Sequence, residues 1–167
     1  MVNKNPLLTS WNTPYKIAPF DEIADHHFSD ALDKALEDEL SEIQGICDNP
    51  DPPTFDNTIH ALLKSGKLLD RVLSTFYTLV GADSNNQREK LMMEFSPKLA
   101  SHASKITSNE KLFSRIQELF KQIDRLDLLP EQHRLLEKIY RDYTRAGASL
   151  NDKSKERMKD IKKQLSI

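Results

Sequence analysis

From residue 32 onward the chain repeats one pattern: apolar residues recur three and four positions apart. Leu68, Leu69, Val72, Leu73, Phe76, Leu79 and Val80 are spaced i, i+1, i+4, i+5, i+8, which lays a wide apolar stripe along one side of a helix. The same period returns in Leu32, Leu36, Leu40 and Ile43, and in Leu91, Met92, Phe95, Leu99, Ala103 and Ile106. It returns again in Leu112, Phe113, Ile116, Leu119, Phe120 and Ile123, and in Leu135, Leu136, Ile139, Tyr140 and Tyr143. No segment competes with the two-residue alternation of a strand. Only four glycines occur in 167 residues, too few for a turn-rich sandwich or barrel, or for a glycine-rich phosphate loop. The expected fold is all-α, a bundle of about six helices.

Punctuation places those helices. Ser29 or Asp30 is the expected cap of the first, and Asn49-Pro50-Asp51-Pro52-Pro53 stops it. Thr54 caps the next, with Phe55, Ile59, Leu62 and Leu63 on its apolar side, and Ser65-Gly66 kinks or breaks it. A turn at 81–86 leads into a long helix that Pro97 should bend. Ser108 or Asn109 caps the one after, Pro130 opens another, and Gly147 loosens its end. The stretch 150–167 keeps only Leu150, Met158, Ile161 and Leu165 apolar among lysines, and reads as a helix cut rather than ended. Residues 1–27 differ: Pro6, Pro14 and Pro19 interrupt Leu7, Leu8, Trp11, Tyr15, Ile17, Phe20 and Ile23, which follow no period. They read as an extended arm that lies across the helical body and buries its aromatic side chains. The expected division is an arm, 1–27, and a helical domain, 28–167.

Composition narrows the function. Apolar residues make up 38% and charged residues 30%, so the core is thin for the length. A net charge of −2 excludes a dominant basic footprint for nucleic acid. No apolar run is long enough for a membrane span or a signal peptide, and one cysteine, Cys47, excludes an internal disulfide or a multi-thiolate metal site. A reduced, cytoplasmic setting is the expectation. Charge is uneven: residues 21–42 hold nine acids against Lys34, and 152–163 hold six basic residues against three acids. Partner-binding patches are one reading; solvated helix faces, or faces packed on each other, are the simpler one.

No catalytic group emerges from the residues. His26, His27, His60, His102 and His133 include no i, i+4 pair of the kind a helical zinc site needs. Glu22 and His26 are four apart, but make a lone pair that surface contact explains. Cys47 stands near a helix C-terminus, where the dipole opposes a thiolate. There is no nucleophile elbow, and no paired carboxylates lie in an apolar segment. The aromatics follow the apolar stripes instead of alternating with arginine, so they read as packing and not as base-stacking platforms. No catalytic, cofactor-binding or metal residue is assigned.

Three stretches carry more than periodicity. Asn5-Pro6-Leu7-Leu8, Trp11, Pro14, Pro19-Phe20-Asp21-Glu22-Ile23 and His26-His27-Phe28 resemble the start of the thimet oligopeptidase family of zinc metallopeptidases. Pro53-Thr54-Phe55-Asp56-Asn57-Thr58-Ile59, with Ala61-Leu62, Ser65-Gly66, Leu68-Leu69 and Arg71-Val72, resembles the next segment. Ser96-Pro97-Lys98-Leu99-Ala100, Asn109, Leu112-Phe113, Arg134-Leu135-Leu136-Glu137, Tyr140 and Ala146-Gly147-Ala148 continue it in order. His26-His27 and Asp56-Asn57-Thr58-Ile59 are more similar to the peptidyl-dipeptidase branch than to the oligopeptidase branch.

The resemblance implies a mostly helical enzyme several times longer, binding one zinc through a His-Glu-x-x-His helix and a later Glu. It would remove C-terminal dipeptides from short peptides inside a deep channel. This chain contains no His-Glu-x-x-His, so no catalytic residue carries over and the catalytic domain is absent from it. The resemblance implies an N-terminal wall of the channel, inactive alone, whose partners are the remainder of the peptidase and its peptides. An unfinished core also invites self-association of the isolated piece. A stand-alone helical module that binds peptides or proteins through the acidic 21–42 face is the alternative. Nucleic-acid binding, resting only on the basic end, comes last.

Overall fold

The computed structural model describes residues 5–150, 153–154, 157–158 and 161, and every regular element among them is helical. Two 3-10 turns, Pro6–Leu8 and Pro14–Lys16, precede α1 (His27–Cys47). A π-helical turn, Phe55–His60, runs into the short α2 (Ala61–Lys64). Then come α3 (Lys67–Ala82), α4 (Asn86–Thr107), α5 (Glu110–Lys121) and α6 (Pro130–Ala146), with a 3-10 turn at Ile123–Arg125. The all-α class that the periodicity dictates is the class adopted.

The caps explain most boundaries. Thr54 Oγ1 accepts from the Asn57 amide at 3.0 Å while Asn57 Oδ1 accepts from the Thr54 amide at 2.8 Å, a reciprocal box that starts the π-turn. Asn109 Oδ1 accepts from the Leu112 amide and so caps α5. Gly66, at φ +71°, separates α2 from α3, and Gly147, at φ +97°, closes α6. Pro97 stays inside a continuous α4.

α1, however, begins at His27, before Ser29 and Asp30. The His27 amide donates to the Ala24 carbonyl at 2.9 Å while its Nδ1 accepts from the Ala24 amide at 3.0 Å, so this turn starts the helix early. α3 also continues through Gly81 to Ala82. Asn85 Oδ1 then caps α4 by accepting from the Gln87 and Arg88 amides. Leu63 leaves the expected apolar side and is exposed. The i→i+5 bond from Ala61 to Asp56 winds wider than an α-turn and shifts the register of the residues after it.

Two compact units divide the chain: Met1–Gln44 with Lys64–His102, and Gly45–Leu63 with Ala103–Ile167. In the first, Leu7, Ile23, Phe28, Leu32, Leu69, Val72, Phe76, Leu91 and Phe95 form one core. Phe76 sits centrally, 5.1 Å from the Phe28 ring and 4.9 Å from the Phe95 ring. Truncating such a side chain to alanine typically costs about 3–5 kcal/mol. In the second, Ile59, Leu112, Phe113, Ile116, Leu119 and Leu136 are buried, and Tyr140 stacks on Phe120 with centroids 3.9 Å apart.

The arm is turned, not extended, and it buries less than expected. Leu7 and Ile23 are buried and Trp11 half-buried, but Tyr15 is 96% exposed, Ile17 55% and Phe20 41%. Tyr15 and Lys16 both take φ +57°, in a loop closed by the Lys16 amide on the Thr13 carbonyl at 3.0 Å. The loop folds on itself and leaves the Tyr15 side chain almost wholly exposed at its tip. Of the final stretch, Leu150 and Met158 are half-buried and Ile161 is exposed, while Leu165 falls outside the described residues.

Candidate functional site

The histidines do not converge. The His26 and His27 ring centroids lie 4.1 Å apart with the planes tilted by 55°, His26 exposed and His27 buried. Burial, and then the charge of His26, pull the His27 pKa below its ordinary value. Residues 20–26 form turns, so the Glu22/His26 spacing places no common helix face. His60 lies 3.5 Å from Asp56, and His133 lies 3.8 Å from Asp124 and 3.9 Å from Glu137. Among the described residues no group of three or more His, Cys, Asp or Glu is arranged to hold a metal ion. Cys47 is half-buried with Sγ 3.6 Å from Asn109 Oδ1, and burial, then the Asp48 charge, raise its thiol pKa.

His102 is the histidine that the apolar pattern missed. It is buried on α4 with Nε2 2.6 Å from Glu39 Oε2 of α1. Arg88, Leu91, Phe95 and His102 form the buried side of α4, whereas Ala103, expected there, is exposed. The signal was present in the sequence: position 102 follows Phe95 by seven and Leu99 by three, which returns it to the same face. Beside it, Glu42 Oε2 accepts from the Gly66 amide at 2.8 Å.

Much of the acidic run serves such ties. Asp25 accepts from Arg88 Nε at 2.7 Å and from Asn85 Nδ2 at 3.0 Å. Burial pushes the Asp25 carboxyl up, but the hydrogen bonds from Asn85 and Arg88 and the Arg88 charge outweigh it and hold the pKa below its ordinary value. Arg88 also reaches the carbonyl and carboxylate of Asp83. Asp33 pairs with Lys98 and Asp38 with Lys34. The basic stretch 152–163 falls largely outside the described residues.

The arm borders a recess. Trp11 Nε1 donates to the Pro6 carbonyl at 2.9 Å, and the Arg71 guanidinium lies over the indole, 5.1 Å from its centroid. Arg71 in turn donates to the Leu7 carbonyl at 2.6 Å, its Nε is buried without a partner among the described residues, and burial lowers its pKa. This arginine–aromatic contact is 60 positions apart in sequence, so no local pattern signals it. A half-open pocket of about 360 Å³ lies beside the indole, lined also by Ser10, Asn12, Thr13, Pro19 and Glu22.

In the second unit one side chain organises the proline-rich segment. Arg115 on α5 donates to the carbonyls of Asn49 at 3.0 Å and Asp51 at 3.2 Å, to Asn57 Oδ1 at 3.0 Å and to Thr58 Oγ1 at 3.3 Å. These bonds hold residues 49–58 against α5 and perform no chemistry of their own. Among the described residues no helix is long and apolar enough to cross a membrane.

No protein-family model matches the chain. Individual relatives do. The chain is 38% identical to the dipeptidyl carboxypeptidase of Escherichia coli (strain K12) over 95% of its own length, and 36% identical to that of Salmonella typhimurium over 95%. It is 24% identical to the oligopeptidase A of Salmonella typhimurium over 97%. In each case the chain spans 23% of the relative's length. Over nearly all of its length the chain is therefore similar to dipeptidyl carboxypeptidases and oligopeptidase A, relatives that belong to the thimet oligopeptidase family.

Proposed function

We propose that the chain is the N-terminal helical domain of a zinc-dependent peptidyl-dipeptidase, an enzyme that removes C-terminal dipeptides from short peptides. In this reading the arm, 1–27, and the helical domain, 28–167, form part of a substrate-channel wall in a cytoplasmic enzyme. The observation that carries it is the 38% identity to a dipeptidyl carboxypeptidase across 95% of this chain, a stretch equal to 23% of that relative. The greater identity to dipeptidyl carboxypeptidases than to oligopeptidase A supports that branch.

The described residues do not fit the zinc that the family uses. His102 is held by Glu39, and the remaining histidines lack a second and third ligand around a common point. We therefore assign no step of peptide hydrolysis to this chain. Its residues build the wall: Glu39–His102 and Asp25–Arg88 brace the helices of the first unit, and Arg115 braces the linker of the second. The natural partners on this reading are the remainder of the peptidase and its peptides.

Reading the native coding sequence past Ile167 tests this directly. Continuation into a His-Glu-x-x-His helix is the expected result, and a stop codon there would overturn it in favour of a helical binding module. Purified 1–167 supplied with zinc should hydrolyse no blocked tripeptide; zinc-dependent turnover by that piece would refute its inertness.

A further inference from the structure

The arm pocket has a composition that the peptidase reading does not use. Its fixed wall is Trp11, whose indole N–H is already committed to the Pro6 carbonyl and which Arg71 covers from outside the lining. The exposed polar residues Ser10, Asn12 and Glu22 share the lining with Trp11. Glu22, Ser10 and Asn12 have no side-chain hydrogen-bond or ion-pair partner among the described residues, and no lysine or arginine lines the recess. A carboxylate, an aromatic ring, and hydroxyl and amide acceptors lining one recess make up the chemistry that recognises a compact organic cation.

We propose that this pocket binds a small organic cation, a primary ammonium or a guanidinium group, with Glu22 as the charged acceptor and Trp11 as the aromatic wall. The roughly 360 Å³ volume suits one such head group and its stem, not a folded partner. Ser10 Oγ and Asn12 Oδ1 are the neutral acceptors available for the remaining N–H groups. The assignment stands on the pocket alone and does not depend on whether the chain continues into a peptidase.

Trp11 is the chain's one tryptophan, so its fluorescence reports the pocket without a label. The full chain is titrated at constant ionic strength with propylammonium chloride, with Nα-acetylarginine amide, and with Nα-acetylcitrulline amide, which keeps the shape of the arginine probe without its charge. A saturable change is expected with at least one of the two cations and not with the citrulline probe. The cation that responds identifies ammonium or guanidinium as the preferred head group. Glu22→Gln should weaken that binding about tenfold, as loss of a charge-assisted hydrogen bond does. Glu37→Gln, which alters the same acidic run outside the pocket, should leave it unchanged. Absence of saturation with both cations, an equal response to citrulline, or unchanged binding in Glu22→Gln would overturn the proposal. The cation-against-citrulline comparison needs no variant, so a folding defect cannot obscure the result.

Discussion

At Gly66 the backbone turns through φ +71° while its amide donates to Glu42, and a Cβ built there would lie 2.6 Å from Glu39 Oε1. Glu39 cannot simply swing aside, because its other oxygen is held by buried His102 at 2.6 Å. Gly66→Ala should therefore lose about 1–3 kcal/mol, from left-handed strain plus the displaced pair, and lower the melting temperature by several degrees. Gly45 lies within α1 with nothing within 4 Å of its added Cβ, so Gly45→Ala should instead gain about 0.5–1 kcal/mol. Paired thermal melts of the two variants check both signs. His27 gives a pH signature. Its folded pKa lies below the ordinary histidine value, so the unfolded chain binds the proton first as pH falls. The stability contributed by neutral His27 is present above about pH 6.5, the unfolded value, and is lost as pH falls from there through the folded value. Denaturant melts between pH 7.5 and 5 should show a shallower decline in His27→Gln than in the parent; parallel curves would refute the assignment.

At the scale of elements, Arg115 predicts a local opening rather than a global one. Its guanidinium satisfies two carbonyls and two side-chain oxygens of residues 49–58, a fan of planar donors that an ammonium cannot reproduce. In Arg115→Ala the segment 48–58 should exchange its amide hydrogens faster and be cut sooner by proteases, with Arg115→Lys close to alanine. Full protection in the lysine variant would show that charge alone suffices. The elements themselves were legible where signals are local. Thr54, Asn109, Pro130 and Gly147 each act within a turn or so of their own position, and each sits at the boundary it was expected to mark. What misled was long-range or register-dependent. Leu63 lost its face to a π-turn, Ala103 yielded the α4 core face to His102, and the Arg71–Trp11 stack joins residues with no local relation. For the candidate site the limit was sharper: Glu22 was legible as an acid in a run, but its pocket exists only because the arm folds into turns.

For the whole molecule the question is what becomes of its uncovered apolar surface. Tyr15, Ile17 and Phe20 on the arm, Met93 on α4, Leu63 at the end of the π-turn segment and Leu129 before α6 are all exposed large hydrophobics. Single exposed apolar residues are ordinary, but three within six positions of one arm form a local cluster that water disfavours. Tyr15 adds left-handed backbone at the same place, with its side chain 96% exposed. If this surface is normally covered by the rest of a peptidase, the isolated chain should cover it with another copy of itself, weakly. Sedimentation velocity across a hundredfold concentration range should then show a weight-average mass rising above the 19.2 kDa of one chain. The triple variant Tyr15→Ser, Ile17→Ser, Phe20→Ser should flatten that rise while keeping the helical circular dichroism of the parent, because none of the three belongs to the buried core. A parent chain that stays at one chain's mass throughout would mean that this surface needs no cover, and would count against its role as a contact within a larger enzyme.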